Sequence, residues 1–159
     1  MKIVFMSDSH GKTDAVRKIV KDNPDADMFV HLGDGEGDVA AVRREYPEIK
    51  ILNVCGNCDP RAEGNEVLLA ELDGGHKLFA AHGHKYGVKM SDLMIRNEAR
   101  KNGATLVAFG HTHEPLQTYE DGLWVLNPGS CSCPPYGQKP SYARADVTAA
   151  GIITGLVWL

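Results

Sequence analysis

Apolar runs and amphipathic stretches alternate over the first third of the chain. Lys2–Met6 and Met28–Leu32 are apolar enough to form buried strands, and Thr13–Lys21 repeats its apolar residues at the spacing of one helical face. A second helix is predicted over Asp38–Tyr46, before a proline, and a third strand over Ile49–Cys55. This alternation predicts a right-handed βαβαβ unit whose loops gather at one edge of a parallel sheet.

The second half of the chain is richer in strands than in helices. One helix is predicted over Ser91–Lys101, with Ser91 as its N-cap. Asp-Gly turn signals indicate two hairpins. The strands predicted here are Glu66–Leu72, Lys77–Ala81, Thr105–Phe109, Leu116–Glu120, Leu123–Asn127, Tyr142–Val147 and Ile152–Leu159. We therefore predict an α/β (α+β) fold in which a second, partly antiparallel sheet stacks on the first, within one domain spanning residues 1–159.

The composition is that of an ordinary globular domain. Of the 159 residues, 43% are hydrophobic and 24% are charged, with a formal net charge of −4. The negative charge argues against a surface that coats nucleic acid, but a nucleotide substrate stays open because a bound dication would invert the local field. No apolar run approaches the roughly 18 residues of a membrane span, and Met1–Met6 is too short for a secretion signal. We expect a cytoplasmic protein that does not associate with membranes.

Four cysteines stand at positions 55, 58, 131 and 133. In a cytoplasmic chain they are expected to be reduced thiols. A zinc site with four thiolate ligands, or a redox pair at Cys55 and Cys58, is the alternative interpretation of their close spacing. That alternative gives no role to the Asp, Asn and His residues that follow the predicted strands.

Metal-competent side chains come directly after five of the predicted strands. The clearest case is Gly110-His111-Thr112-His113, where two imidazoles arrive at the end of the apolar run Thr105–Phe109. Ligands in open α/β sheets collect beyond the carboxyl ends of the strands, so these side chains are expected to meet. The set consists of Asp8, His10, Asp34, Asn57, His82, His111 and His113.

Seven donors are too many for one tetrahedral site but suit two metal ions that share a ligand. A carboxylate has two oxygens for this purpose, and Asp34 is the candidate bridge. Mixed nitrogen and oxygen donors favour Mn, Fe, Zn or Co over Ca or Mg. Two ions about 3.5–4 Å apart can hold a bridging hydroxide for in-line attack on phosphorus. The predicted activity is metal-assisted hydrolysis of a phosphoester.

The ordered motifs resemble those of the calcineurin-like metallophosphoesterases. The later Asn127-Pro128-Gly129-Ser130 resembles a further signature of the small YfcE-like phosphodiesterase branch. The five family motifs are Asp8-Ser9-His10, Gly33-Asp34, Gly56-Asn57-Cys58-Asp59, His82-Gly83-His84 and Gly110-His111-Thr112-His113. The resemblance covers residues 8–130 in family order and implies a four-layer αββα sandwich of two mixed sheets without a cap domain.

The resemblance also implies a binuclear metal centre with a role for each donor. The first metal would be bound by Asp8, His10 and His113, and the second by Asn57, His82 and His111. Asp34 would bridge them, and Asp34, Asn57 and His82 are the residues predicted to act in catalysis. The implied ions are Mn first, with Fe, Zn, Co or Ni as alternatives, and the implied substrate is a small phosphodiester or phosphomonoester. Relatives of this size often form homodimers.

Position 58 departs from the wider superfamily, many of whose members carry there a His that is thought to protonate the leaving group. A thiol is a poorer proton donor near neutral pH than an imidazolium, so we predict a preference for activated esters. Cys58 and Arg61 are the candidate substrate contacts. A guanidinium at position 61 suits a phosphate as a bidentate donor, and an ordinary exposed arginine is the alternative.

Two alternatives concern the remaining histidines and the class of protein. His82 is preferred to His84 as a ligand because it stands directly at the strand end, while His31 is predicted to be a hydrogen-bonded core residue and His76 to be exposed. The rival function is a catalytically idle interaction scaffold, since a retromer subunit shares this fold and has degraded metal residues. The complete donor set favours the hydrolase.

Overall fold

The computed structural model describes residues 1–59 and 65–159, which form three α-helices and ten β-strands. The helices are α1 (Thr13–Asp22), α2 (Glu36–Glu45) and α3 (Leu93–Lys101). The strands are β1 (Lys2–Met6), β2 (Met28–His31), β3 (Ile51–Asn53), β4 (Val67–Glu71), β5 (Lys77–Ala81), β6 (Leu106–Phe109), β7 (Pro115–Glu120), β8 (Leu123–Pro128), β9 (Ser141–Thr148) and β10 (Gly151–Trp158).

The strands form two mixed sheets. The first has the order β10-β9-β1-β2-β3, in which β1, β2 and β3 are parallel, as the predicted βαβαβ unit requires. The second has the order β4-β5-β6-β8-β7, with β5, β6 and β8 parallel. The last two strands complete the first sheet, because β9 pairs antiparallel with the free side of β1. Two stacked sheets were therefore predicted correctly, but the second sheet is built from β4 to β8.

Alternating side chains along the strands build three apolar layers. Ile3 and Phe5 of β1 point into the core between the two sheets. Val4 and Met6 point the other way and pack against α1 and α2. On the far side of the second sheet, α3 packs through buried residues such as Ile95. The order of layers is helix, sheet, sheet, helix, which confirms the αββα sandwich.

Several predicted boundaries were wrong, and the reasons for three of them can be seen in the structure. Helix α2 begins at Glu36 instead of Asp38, because a carboxylate from another loop accepts the N–H groups of its first turn. Strand β3 ends at Asn53 instead of Cys55, since its partner β2 ends at His31. Helix α3 begins at Leu93 instead of Ser91. Ser91 lies just outside the helix, where its Oγ accepts the backbone N–H of Leu93.

No helix in residues 1–59 and 65–159 is long and apolar enough to cross a membrane.

Candidate metal centre

Five loops carry the seven predicted donors to one edge of the sandwich. Because β1, β2 and β3 are parallel, and β5 and β6 are parallel, their carboxyl ends lie together at that edge. The loop after β1 carries two donors, those after β2, β3 and β5 carry one each, and the loop after β6 carries two. In that order they are Asp8, His10, Asp34, Asn57, His82, His111 and His113.

The first group of donors contains Asp8, His10 and His113. Asp8 Oδ1 lies 3.2 Å from His113 Nε2 and 3.8 Å from His10 Nε2. The two imidazole Nε2 atoms are 3.2 Å apart. The Asp8 side chain is fully buried, whereas both imidazoles are partly exposed. One donor atom from each side chain therefore converges on the same small volume beyond the end of β1.

Asp34 lies between the two predicted metal sets. Its Oδ2 atom is 3.4 Å from His82 Nε2 and 3.8 Å from His10 Nε2. Asp8 also approaches this second group, with Oδ1 4.0 Å from His82 Nε2. Since Asp34 reaches nitrogen atoms of both sets, its position suits a carboxylate that bridges two ions.

Asn57 and His111 complete the arrangement on the side of His82. Asn57 Oδ1 is 3.2 Å from His82 Nε2. The rings of His82 and His111 are edge to face with centroids 5.0 Å apart. The backbone N–H of His111 donates to Asp8 Oδ2 at 3.0 Å. All seven predicted donors are thus brought together, while their individual roles as ligands stay predictions.

Backbone carbonyls orient two of the imidazoles. His82 Nδ1 is 2.7 Å from Leu32 O, and His113 Nδ1 is 2.7 Å from Cys133 O. A carbonyl oxygen only accepts, so each ring donates from Nδ1, and in the neutral ring the Nε2 lone pair faces the other donors. This is the arrangement that most metal-binding histidines adopt.

Asp8 Oδ1 is a buried atom without a hydrogen-bond partner in the described part of the chain. Leaving a buried carboxylate oxygen unsatisfied is unfavourable, and its nearest neighbours are the nitrogen atoms of the surrounding imidazoles. A cation bound between them would supply the missing interaction. Carboxylates, imidazoles and one amide oxygen are also a donor set that divalent transition metals accept. The residues present therefore fit a metal site.

The electrostatics of the centre follow from its two buried carboxylates. Burial opposes ionisation of Asp8 and Asp34, but the neighbouring imidazoles of His113 and His82 lower the pKa of each below its ordinary value. These carboxylates in turn raise the pKa of His113 and, against the effect of burial, that of His82. Burial and the neighbouring His82 lower the pKa of His111 to about 4. At neutral pH both carboxylates are ionised and His111 is neutral.

Asp59 is a structural residue that the sequence prediction missed. Its carboxylate accepts four backbone N–H groups, at distances of 2.8–3.0 Å. The donors are Asp34, Gly35, Glu36 and Gly56. Asp59 therefore fastens the loop of the bridging carboxylate to the loop that carries Asn57. The sequence offered one signal for this role. Aspartate is a common acceptor for the free N–H groups at the start of a helix, and Asp59 stands in the motif that follows β3.

A chain of hydrogen bonds joins the loop after β1 to the loop after β2. Gly33 N–H donates to His31 Nδ1, so the neutral ring carries its proton on Nε2 and donates to Ser9 Oγ at 3.1 Å. Ser9 Oγ then donates to Asp38 Oδ2 at 2.6 Å, and Asp38 also accepts the N–H of Gly11. His31 is thus the hydrogen-bonded core residue that was predicted, whereas the role of Asp38 was missed.

The loop between β8 and β9 also binds the loops that carry the candidate donors. Its residues 130–133 are here called the 130–133 loop. Ser130 Oγ and Ser132 Oγ both donate to the carbonyl oxygen of Asp8, at 2.7 and 3.0 Å. Asn127 Nδ2, at the end of β8, donates to Gly110 O at 3.0 Å. The Asn127-Pro128-Gly129-Ser130 signature therefore fixes the backbone of loops that carry donors.

Cys58 lies on the exposed side of the centre. Its backbone N–H donates to Asp34 Oδ1 at 2.8 Å, and burial together with the Asp34 carboxylate raises the pKa of its thiol. An open groove of about 380 Å³ runs beside it, between the first turns of α1 and α2. This place suits the predicted contact of Cys58 with substrate, which stays a prediction. The other predicted contact, Arg61, lies outside the described residues.

The remaining histidines and thiols have structural surroundings. The His84 ring lies 5.4 Å from that of His82, and in the described ranges it belongs to none of the three-residue groups of metal-competent donors. His76 is partly buried and 3.1 Å from Thr105 Oγ1, so its predicted exposure was wrong. Cys58 is the sole cysteine in those groups within the same ranges, which argues against the four-thiolate zinc site.

Comparison with known sequences gives consistent matches over nearly the whole chain. A model of the calcineurin-like phosphoesterase superfamily domain matches residues 1–150. The probable metallophosphoesterase YsnB of Bacillus subtilis is 31% identical over 145 residues, covering 90% of this chain and 82% of YsnB. The phosphodiesterase YfcE of Escherichia coli is 28% identical over 179 residues, covering 96% of this chain and 91% of YfcE.

Solved structures share the fold as well. A protein from Streptococcus pneumoniae described as a predicted phosphoesterase has a TM-score of 0.77 at 28% identity, with coverage of 99% of this chain and 97% of that one. Vps29 of Entamoeba histolytica, solved in complex with Zn²⁺, has a TM-score of 0.74 at 18% identity over 99% of each chain, a likeness of fold alone. By its sequence and its two-sheet architecture, the chain belongs to the calcineurin-like phosphoesterase superfamily, in the small YfcE-like branch.

Proposed function

We propose that this chain is a metal-dependent phosphodiesterase that hydrolyses small phosphoesters in the cytoplasm. The observation that carries the proposal is the convergence of two ionised carboxylates and several imidazoles around Asp8 Oδ1, a buried atom with no protein partner among the described residues. Membership of the phosphoesterase superfamily and a relative named as a phosphodiesterase support the reaction class. Mn²⁺ is the proposed native ion, with Fe, Zn, Co or Ni as alternatives.

The donors divide between two proposed ions. Asp8, His10 and His113 would hold the first, and Asn57, His82 and His111 the second, with Asp34 shared. Bound divalent ions activate a water molecule for attack and neutralise the charge that develops on a phosphoryl group. The remaining tasks, which are orientation, proton control and substrate selection, fall to the protein.

The protein supplies a fixed set of charges and one poor acid. Asp34 stays ionised because its low pKa is maintained by its hydrogen bonds. Asn57 is exposed next to Cys58, which lines the groove, and would offer its amide to a phosphoryl oxygen. The Cys58 thiol has a raised pKa and is a weak proton donor, so a leaving group that departs as a stable anion is favoured. We therefore propose activated diesters as the preferred substrates.

The first prediction concerns the bridging carboxylate. Metal-stripped protein should hydrolyse a bis-aryl phosphodiester when Mn²⁺ is restored, and Asp34→Asn should lower kcat/KM by roughly 100-fold or more, the size usual for losing one electrostatic element of an active site. Asp121→Asn is the matched control, because Asp121 also has a positive φ (50°) but lies in an exposed turn. Its activity should equal that of the wild type.

The same experiment separates the hydrolase from the scaffold. Hydrolysis that returns with Mn²⁺ and is lost in Asp34→Asn supports the two-metal phosphodiesterase. Protein that binds two ions, measured by equilibrium dialysis, but hydrolyses neither diesters nor monoesters would contradict the enzyme. A catalytically idle scaffold would then be the better interpretation, and partner proteins would be sought.

A second prediction concerns proton donation to the leaving group. Cys58→His places an imidazole beside the groove, and general acid assistance is worth roughly 10²- to 10⁴-fold where a leaving group needs a proton. Turnover of an unactivated alkyl diester should rise by about tenfold or more, whereas turnover of the bis-aryl diester should change little. An equal effect on both substrates would contradict a role of position 58 in proton transfer.

A further inference from the structure

The groove side of the centre carries one donor that the seven-residue set does not include. Cys58 Sγ, a ring nitrogen of His10 and a carboxylate oxygen of Asp34 all lie within 4.8 Å of one another. Cys58 is exposed and lines the groove together with His10 and Asp34. The three side chains form a further donor group, and unlike the other groups it contains a sulfur atom.

The sulfur is held in place by residues of the centre itself. The Cys58 backbone N–H donates to Asp34 Oδ1 at 2.8 Å, and Asn57 Nδ2 donates to Cys58 Sγ at 3.3 Å. The next residue, Asp59, accepts four backbone N–H groups from this loop and the loop after β2. These hydrogen bonds fix the position of Cys58 and keep its sulfur close to His10 and Asp34.

Thiolate sulfur is a soft ligand that discriminates between metals. It binds Zn²⁺, Co²⁺ and Cd²⁺ strongly, whereas Mn²⁺ prefers carboxylate, carbonyl and water oxygens. Imidazole and carboxylate from His10 and Asp34 are ligands that all of these ions accept. The response of the site to different metals thus depends on whether Cys58 joins the coordination.

We propose that Cys58 is a metal-discriminating ligand, which binds through its thiolate when the centre holds Zn²⁺, Co²⁺ or Cd²⁺ and stays unbound when it holds Mn²⁺. This inference rests on the metal centre of the proposed function. As the metal–sulfur bond forms, the S–H bond breaks and its proton passes to solvent. The sulfur would occupy the side of the centre that faces the groove, so a zinc-loaded protein is inhibited and a manganese-loaded one is open to substrate.

Cobalt spectroscopy tests the proposal directly. Metal-free wild-type protein titrated with Co²⁺ should show a thiolate-to-cobalt charge-transfer band in the ultraviolet beside the visible d–d bands of bound cobalt. Cys58→Ser should lose the ultraviolet band and keep the visible bands. Cys133→Ser should keep both, because Cys133 is also exposed but its sulfur belongs to none of the metal-competent groups within residues 1–59 and 65–159.

Metal affinity provides a second readout that does not require turnover. By competition with a chelating indicator, Cys58→Ser should weaken Zn²⁺ binding by about tenfold, the lower end of what the loss of a supporting group causes at metal sites. Mn²⁺ binding should stay unchanged. Zinc inhibition of the manganese enzyme should be relieved in the same variant.

The outcomes separate this inference from the metal centre. Visible cobalt bands without the ultraviolet band in the wild type, or an ultraviolet band that persists in Cys58→Ser, would overturn the thiolate ligand and leave the centre intact. Failure to bind cobalt at all would overturn both.

Discussion

Five residues of the metal centre have a left-handed backbone, a conformation unfavourable by about 1–3 kcal/mol for residues with a side chain. They are Asp8, His10, Asp34, His111 and His113, with φ between 45° and 66°. Among the described non-glycine residues, only Asp121 in an exposed turn shares this property. Contacts impose the strain, since the N–H groups of Asp8 and His10 donate to carbonyls of the loop after β2. The donors are therefore positioned by the protein before any ion arrives.

The buried His31 side chain makes the stability of the metal-free protein depend on pH. Burial lowers its pKa to about 4 in the fold, whereas in the unfolded chain the value is about 6.5. Between these values the unfolded state binds a proton that the folded state does not. The stabilising effect is therefore complete above about pH 6.5 and is lost as the pH falls towards 4. In urea unfolding, the metal-free protein should lose on the order of 2 kcal/mol more than His31→Asn between pH 7 and pH 5.

The variant itself is the control for this measurement, because the other titrating histidines are common to both proteins. Equal losses of unfolding free energy in the two proteins would mean that His31 does not titrate as a buried neutral group. A larger loss in the variant would contradict the direction of its pKa shift.

One carboxylate joins helix α2 to the loop after β3. Asp59 accepts the N–H groups of Gly35 and Glu36 at the start of the helix, where backbone donors have no partner within the helix itself. It also accepts the N–H of Asp34, the proposed bridge. The start of α2, the bridging carboxylate and the Asn57 loop therefore depend on one side chain.

Replacing Asp59 should accordingly affect stability and metal binding together. Asp59→Ala leaves four backbone donors without their acceptor and should lower the free energy of unfolding by about 1–3 kcal/mol. Metal affinity, measured by titration, should fall by roughly 10- to 100-fold. Asp27→Ala is the matched control. Asp27 is exposed and accepts a single backbone N–H, that of Lys2, at the end of β1 opposite to the candidate metal ligands. Unchanged metal affinity in Asp59→Ala would contradict the positioning role.

The spacing of apolar residues was enough to predict some helices and strands. The lengths and partners of other strands depend on pairing between distant segments. Strand β1 and helix α1 follow from apolar spacing, and α1 ends within one residue of its predicted end. The length of β3 could not be predicted, because it is set by the short partner β2 and not by the apolar run, which continues to Cys55. The pairing of β9 with β1 joins the two ends of the chain and leaves no local signal in either segment.

The candidate metal centre lies where the two sheets meet. Asp8, Asp34 and Asn57 follow strands of the first sheet, whereas His82, His111 and His113 follow strands of the second. An ion bound by both groups would hold the sheets together and would bind the folded chain only. Metal binding is therefore expected to stabilise the fold.

This stabilisation can be measured by thermal unfolding. At a free ion concentration of about 100 times Kd, each site contributes roughly 2.7 kcal/mol. For a chain of this length that is a rise in Tm of about 5–10 °C per site, which a chelator should reverse. Asp34→Asn should show a smaller rise. An unchanged Tm in a protein shown by dialysis to hold metal would contradict a site shared between the sheets.

The convergence of the seven candidate donors could be predicted because each follows a strand, a position that the chain order alone reveals. The residues that hold the donors could not be predicted in the same way. Asp59, Asp38 and Ser132 act through hydrogen bonds to backbone groups of other loops, and those distances exist only once the sheets have stacked. Arg61 lies outside the described residues, so its predicted contact with substrate stays a prediction.

The 130–133 loop has a consequence for the order of events during synthesis. Its Ser130 hydroxyl binds the Asp8 carbonyl across 122 residues of chain, and His113 meets Asp8 across 105. A nascent chain that has emerged only as far as β5 can make neither of these connections, however well its first strands have paired. The complete set of candidate donors therefore comes together late, and metal binding is expected to follow the folding of this protein instead of initiating it.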